Sequence, residues 1–144
     1  MISMIPGAEA TSSALNAERI RMEVVSENIA NANTTRGLDG KPYKRQQVVF
    51  ETMLKQQQAG LGGNASHAQG VQITRIEKDD RPASMVFNPG HPDADTNGMV
   101  KMPNINVHEE MSDMISSSRA FEANLAVMKN AKAMTMQTLS IGKR

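Results

Sequence analysis

Residues 107–141 read VHEEMSDMISSSRAFEANLAVMKNAKAMTMQTLSI, and this stretch decides the fold. Val107, Met111, Met114, Ser118, Phe121, Leu125, Met128, Lys132, Thr135 and Leu139 follow one another in alternating steps of four and three. Such spacing is a heptad seam, with polar exceptions at Ser118, Lys132 and Thr135. Beside it runs a second stripe of Ala120, Ala123, Val127, Ala131, Met134, Thr138 and Ile141. One helix with two apolar stripes can touch more than one neighbour. The start is signed by Pro103, by Asn106 as N-cap and by Glu109 three residues on, a capping-box pairing. Glu109, Glu110 and Asp113 occupy the first turns, and Lys129, Lys132, Lys143 and Arg144 crowd the far end. Both biases complement the helix dipole. The span exceeds the usual helix of about 10–14 residues and leans toward a coiled-coil element.

A second helix is expected over about residues 6–33, with Pro6 in its first turn. Leu15, Met22 and Ile29 lie seven apart, and Val25 and Ala32 fill the intermediate steps. Glu18 interrupts this seam. The run Asn31-Ala32-Asn33-Thr34-Thr35 should end the helix, because such side chains compete for backbone hydrogen bonds.

Between the helices, Gly37, Asp39-Gly40 and Pro42 punctuate turns. Strands are expected at Gln47–Phe50, around Val71–Ile76 and at Met85–Phe87, together making one small antiparallel sheet that must pack on something. Residues 56–70, rich in Gln, Gly and Ala, read as a flexible loop or linker. Arg36, Lys41, Lys44, Arg45 and Lys55, against Asp39 and Glu51, make residues 36–57 locally basic. With Tyr43 and Phe50 the only rings nearby, stacking on nucleic acid has little support and a solvated loop face is the simpler reading.

The chain has 144 residues, enough for one modest core, and a net charge of +1 that selects neither nucleic acid nor an anionic membrane. Having no cysteine, it can form neither disulfides nor thiolate metal sites. No apolar run approaches the roughly 18 residues of a spanning helix, and no basic segment followed by an apolar one marks a secretory signal. The chain is therefore expected to stay in the cytoplasm or to leave by a route that reads no such signal. His67, His91 and His108 lack partners at metal-pair spacing, and no nucleophile elbow, Walker loop or dinucleotide fingerprint is present. No catalytic residue, metal ligand or cofactor is assigned.

Residues 93–104, DADTNGMVKMPN, imitate the first half of a calcium loop through Asp93, Asp95, Asn97 and Gly98. Position twelve is Asn104 rather than a bidentate Glu, and Pro103 opposes the exiting helix. A tight turn with side-chain-to-backbone bonds is the simpler expectation.

The expected architecture is mainly α with a small β insert. Residues 1–35 and 105–144 form long helices that pair as an antiparallel coiled coil, and residues 36–104 form a short strand-rich module between them. Leu15, Met22, Val25 and Ile29 are expected to pack on Met111, Met114, Phe121, Leu125, Met128 and Leu139. Asn28, Asn31, Asn33, Ala123, Val127, Ala131 and Met134 are expected to face neighbouring subunits. Surplus apolar surface on both helices is the logic of an assembly subunit. A cytoplasmic coiled-coil adaptor or another axial subunit of a secretion apparatus remain alternatives, with a calcium binder more remote.

ALNAERIRMEVVSENIANANTT (residues 14–35), above all Asn28-Ile29-Ala30-Asn31-Ala32-Asn33-Thr34, resembles the N-terminal signature of the bacterial flagellar axial proteins (rod, hook and hook-associated proteins). RGLDGKPYKRQQVVFE, NPGHPDADTNGMVKMPNINVHEEM and SSSRAFEANLAVMKNAK resemble its short proximal-rod members. The resemblance implies a non-catalytic subunit of the drive shaft that carries torque across the periplasm from motor to hook. It implies departure through the flagellar type III export apparatus without a cleaved signal. It also implies other proximal rod proteins, the rod–ring junction protein, distal rod subunits and copies of itself as partners, with no nucleic acid and no membrane insertion.

Overall fold

A computed structural model describes residues 7–37, 39–55 and 67–142. Two helices and four strands follow in the order α1 (Ala8–Ala30), β1 (Gln46–Lys55), β2 (His67–Lys78), β3 (Ser84–Phe87), β4 (Met99–Met102) and α2 (Val107–Ile141). The fold is mixed, with two helices and two small antiparallel sheets.

Helix α1 opens after Gly7, whose positive φ of 81° turns the chain into the helix without a side-chain cap. It ends where the asparagine run predicts. Asn31 Nδ2 donates to the Glu27 carbonyl, and Thr34 Oγ1 donates to Asn31 Oδ1. Helix α2 is capped by Asn106, whose Oδ1 accepts from the His108 amide at 3.1 Å. Glu109 joins this cap through Asn106 Nδ2, which donates to its carboxylate at 3.0 Å. That bond runs side chain to side chain, a variant of the expected box.

The insert makes two separate two-stranded sheets rather than one. Strands β1 and β2 pair from Gln46↔Lys78 to Lys55↔His67, with register shifts at Val49/Phe50 and Met53/Leu54. Residues 67–70, expected in the linker, belong to β2; residues 56–66 lie outside the described residues. This hairpin lies on α1, which also packs against α2. A two-stranded ribbon is marginal alone, and docking on a helix is what stabilises it. Strand β4, unanticipated in the sequence, pairs with β3 from Ser84↔Met102 to Phe87↔Met99. The β3–β4 ribbon contacts neither helix, and all four β3 residues are exposed.

The core is small. Ala17, Val24, Val25, Ala32 and Val100 are its buried apolar members among the described residues, accompanied by buried Asn28, Glu110 and Ser117.

The candidate assembly surface and a buried polar junction

A polar junction fastens the two helices to the insert. Asn28 and Glu110 are fully buried. Asn28 Nδ2 donates to Glu110 Oε2 at 2.9 Å and to the Gln46 carbonyl at 2.8 Å. Its Oδ1 accepts from the Gln46 amide at 2.9 Å and from the Tyr43 hydroxyl at 3.1 Å. An asparagine side chain offers two donors and one oxygen with two lone pairs, so Asn28 is fully used. Glu110 Oε1 accepts from Arg45 Nε at 2.6 Å, a charge-assisted bond that compensates the buried carboxylate. Arg45 and Arg21 also reach Asp113, at 3.9 and 3.5 Å. Burial pushes the Tyr43 hydroxyl above its ordinary pKa. The nearby Glu27 and Glu110 carboxylates add to the rise, against a hydrogen bond with Gln46 that lowers it.

This corrects one expectation. Asn28 does not face a neighbour; it is sealed inside, with no hydrogen-bonding capacity left over. Asn31 serves largely to end its own helix, while Asn33 is exposed. In the sequence Tyr43 reads only as a ring, Arg45 as one cation of a solvated loop and Glu110 as a first-turn acid, none of them as part of a buried junction. Arg45 and Glu110 carry no local pattern that announces a pair 65 residues apart.

The inner face of α2 is also shifted. Its buried and half-buried positions include Glu110, Met114, Ser117, Phe121, Asn124, Met128, Ala131 and Thr135, again in steps of four and three. Met114, Phe121 and Met128 therefore lie where the seam puts them. Met111, Leu125 and Leu139 do not, being 51, 36 and 49% exposed. The intervening places go to Glu110, Ser117, Asn124 and Ala131, which are charged, polar or small. The reason is the junction: once Arg45 and Asn28 hold Glu110 inward, the adjacent Met111 must turn outward on a helix of about 100° per residue. On α1, Val25 is buried and Leu15, Met22 and Ile29 are half-buried. The seam is not fully satisfied, since Ser117 Oγ and Glu18 Oε2 are buried without a partner among the described residues.

Past Ser117, no residue of α2 is fully buried. Val127, Met134, Met136 and Ile141 are more than half exposed, and Ala123 is exposed while Ala131 is half-buried. Many large apolar side chains along one helix make more unpartnered apolar surface than scattered surface residues explain.

The stretch 93–104 is a turn leading into β4. Asp95 Oδ1 accepts from the amides of Asn97 and Met99 at 2.8 and 3.0 Å. Asp93 Oδ2 accepts from Thr35 Oγ1 at 2.8 Å, and Asp93 Oδ1 lies 3.7 Å from Arg36. The two carboxylates thus serve different partners, and a strand follows where a calcium loop would begin its helix.

Two family models match the two helical ends. One, described as flagella basal body rod protein, covers residues 9–36; the other, flagellar basal body rod FlgEFG protein C-terminal, covers residues 96–141. The chain is 40% identical to the flagellar basal-body rod protein FlgC of Borreliella burgdorferi, across 90% of this chain and 91% of that one. The chain belongs to the FlgC family of flagellar basal-body rod proteins. It is 41% identical to the Bacillus subtilis member, covering 92% of this chain and 94% of the relative. The Salmonella typhimurium member is 39% identical, over 91% and 92%. The junction and the exposed α2 stripe thus belong to a structural protein of the flagellar basal body. Asn28 falls within the first matched segment, and Glu110 within the second.

Proposed function

We propose that this chain is a non-catalytic structural subunit of the proximal part of the flagellar rod, built into the shaft through its terminal helices. The single observation that carries the assembly step is the exposed apolar run of α2 beyond Ser117. Burying such side chains is worth about 25 cal/mol per Å², so a neighbour that covers them is strongly favoured. The helices act as an antiparallel coiled-coil pair, a reading supported by Asn28 meeting Glu110 while the earlier Arg21 meets the later Asp113. The junction then makes the pair and the insert one mechanical unit, which suits a part that transmits torque.

Partners in this reading are copies of the chain, other proximal rod proteins, the rod–ring junction protein and distal rod subunits. The chain reaches them through the flagellar export apparatus. The test is complementation of a strain lacking this subunit. Leu125→Asp, Leu139→Asp and Ile29→Asp should abolish rod assembly and swimming while export stays detectable. Wild-type swimming from the two α2 variants would overturn the reading of that surface.

A further inference from the structure

Tertiary structure gathers cations that the sequence keeps apart. A cleft of about 280 Å³ is lined by Lys41, Lys44, Arg45, Arg81 and Lys101, with Asn104 among its other walls and Asp79 its only acid. The cations come from the segment before β1, from the β2–β3 connection and from β4. Arg45 is committed to Glu110, and Arg81 to Asp79 at 2.6 Å. Lys44 sits 4.0 Å from Asp80, the outer limit of an ion pair. Lys41 and Lys101 make no ion pair among the described residues. A second cleft of about 350 Å³ adjoins the first, since both are lined by Pro42 and Lys101; it adds Arg36 together with Asp93 and Asp95, and Arg36 lies 3.7 Å from Asp93, so the positive charge is concentrated in the first cleft. Part of the local basic bias at 36–57, Lys41 and Lys44, thus joins Lys101 in the first cleft to make one positive groove.

The geometry points to an acidic helix face of a second copy of this chain as the occupant of this groove. The chain carries the complement on α1. Its exposed positions include Glu23, Ser26, Glu27 and Ala30, and the helix's two cations, Arg19 and Arg21, both precede them. Glu23 and Glu27 lie four apart and point the same way, and the short Ser26 and Ala30 beside them permit close approach. Glu27 makes no ion pair among the described residues. Glu23 pairs only with Arg19, both more than half exposed, an arrangement worth little and readily exchanged. Glu27 also lies near enough to Tyr43, a residue of the groove wall, to disfavour its ionisation. Asn28, the residue after Glu27, holds the Tyr43 hydroxyl at 3.1 Å, so the acidic face of α1 begins beside the groove wall and contact between copies can engage both.

A nucleic acid fits less well. Tyr43 is the only ring in the wall and its hydroxyl is tied to Asn28, which leaves no platform for stacked bases. This inference rests on the rod-subunit reading but uses a surface distinct from the apolar α2 stripe.

The test mixes nitrogen-15-labelled and unlabelled full-length chain, couples touching carboxylate–lysine pairs with a zero-length carbodiimide, and reads the linked peptides by mass spectrometry. Expected are mixed-isotope links from Lys41, Lys44 or Lys101 to Glu23 or Glu27. They should fade as salt rises from about 0.05 M to 0.5 M, where screening shortens to a few ångströms. Lys101→Glu should lower self-association roughly tenfold, and Glu27→Lys placed with it should restore most of the loss. Circular dichroism of both variants should match the parent, since neither side chain joins the buried junction. Links confined to single-isotope pairs, mixed links that avoid these residues, or tighter binding to a single-stranded oligonucleotide than to a second copy would overturn the proposal. Loss of association in Leu139→Asp with none in Lys101→Glu would leave the rod reading standing and remove this one.

Discussion

Asn28 and Glu110, 82 residues apart in the chain, meet 2.9 Å from one another with neither side chain reached by solvent. Their bond ties α1 to α2, and each also holds the segment entering β1, Asn28 through Gln46 and Glu110 through Arg45. Removing one member of a buried charged pair costs more than the pair contributes, because the other is left uncompensated. Glu110→Ala should therefore lower unfolding free energy by about 3–5 kcal/mol. Glu110→Gln keeps an acceptor for Asn28 and should cost less, about 1–3 kcal/mol. Urea unfolding followed by circular dichroism checks both, and equal losses from the two variants would show that the acceptor kept by glutamine contributes nothing and that the lost charge carries the whole effect.

Gly70 sits where α1 and β2 touch. Its φ is 146°, and a Cβ on it would lie 2.3 Å from Ser13 Oγ, the atom that accepts from the Val71 amide. Gly70→Ala should cost about 1–3 kcal/mol through strain and overpacking. It should loosen the hairpin from α1 first, so the Val71 amide should exchange with deuterium far faster while amides of α2 near Glu110 change little. Unchanged Val71 protection would count against the contact.

Alkaline pH should weaken the fold through Tyr43. Its folded pKa is raised above the unfolded value of 10.0. The unfolded chain therefore releases this proton first, and the contribution is fully present below pH 10 and lost as pH climbs through the folded pKa. Tyr43→Phe should be about 1 kcal/mol less stable near pH 7, for want of the bond to Asn28, yet flatter above pH 10. Thermal melts from pH 7 to 11 report both, and parallel curves for the two proteins would reject Tyr43 as the titrating group.

Core and surface positions of similar chemistry should separate stability from assembly. Val25 is buried and Val127 is 55% exposed. Val25→Asp places an unpaired charge in the core and should unfold the isolated chain or cost at least about 3 kcal/mol. Val127→Asp should alter the monomer by no more than about 0.5 kcal/mol. In assembly it should fail all the same, judged by sedimentation of the purified chain and by swimming of a complemented strain. Full assembly by Val127→Asp would remove it from the interface.

Much of the fold was legible along the chain because its signals are local. Seven-residue spacing marks two long helices, Asn106 caps the second, and the run from Asn31 to Thr34 stops the first. The residues from Ala14 to Thr35 also carry the family's signature. Locality is equally the limit of such signals. A four–three repeat fits two neighbouring stripes almost equally well, and apolarity favours Met111 and Leu125. The choice fell to Glu110, Ser117 and Asn124 because Arg45 and Asn28, remote in sequence, supply partners that make a buried carboxylate tolerable. Strand β4 lay hidden for the same reason, since MVKM takes extended form by pairing with β3. The positive groove exists only once Lys101 and Arg81 are folded against Lys41 and Lys44. The sequence by itself determined which segments are helical and where they stop, since hydrogen bonds within a few residues set those, and its signature residues determined the family. Tertiary structure alone decided which face turns inward, which asparagine is sealed and where charge accumulates, because those depend on contacts between groups that meet only after the chain has closed on itself.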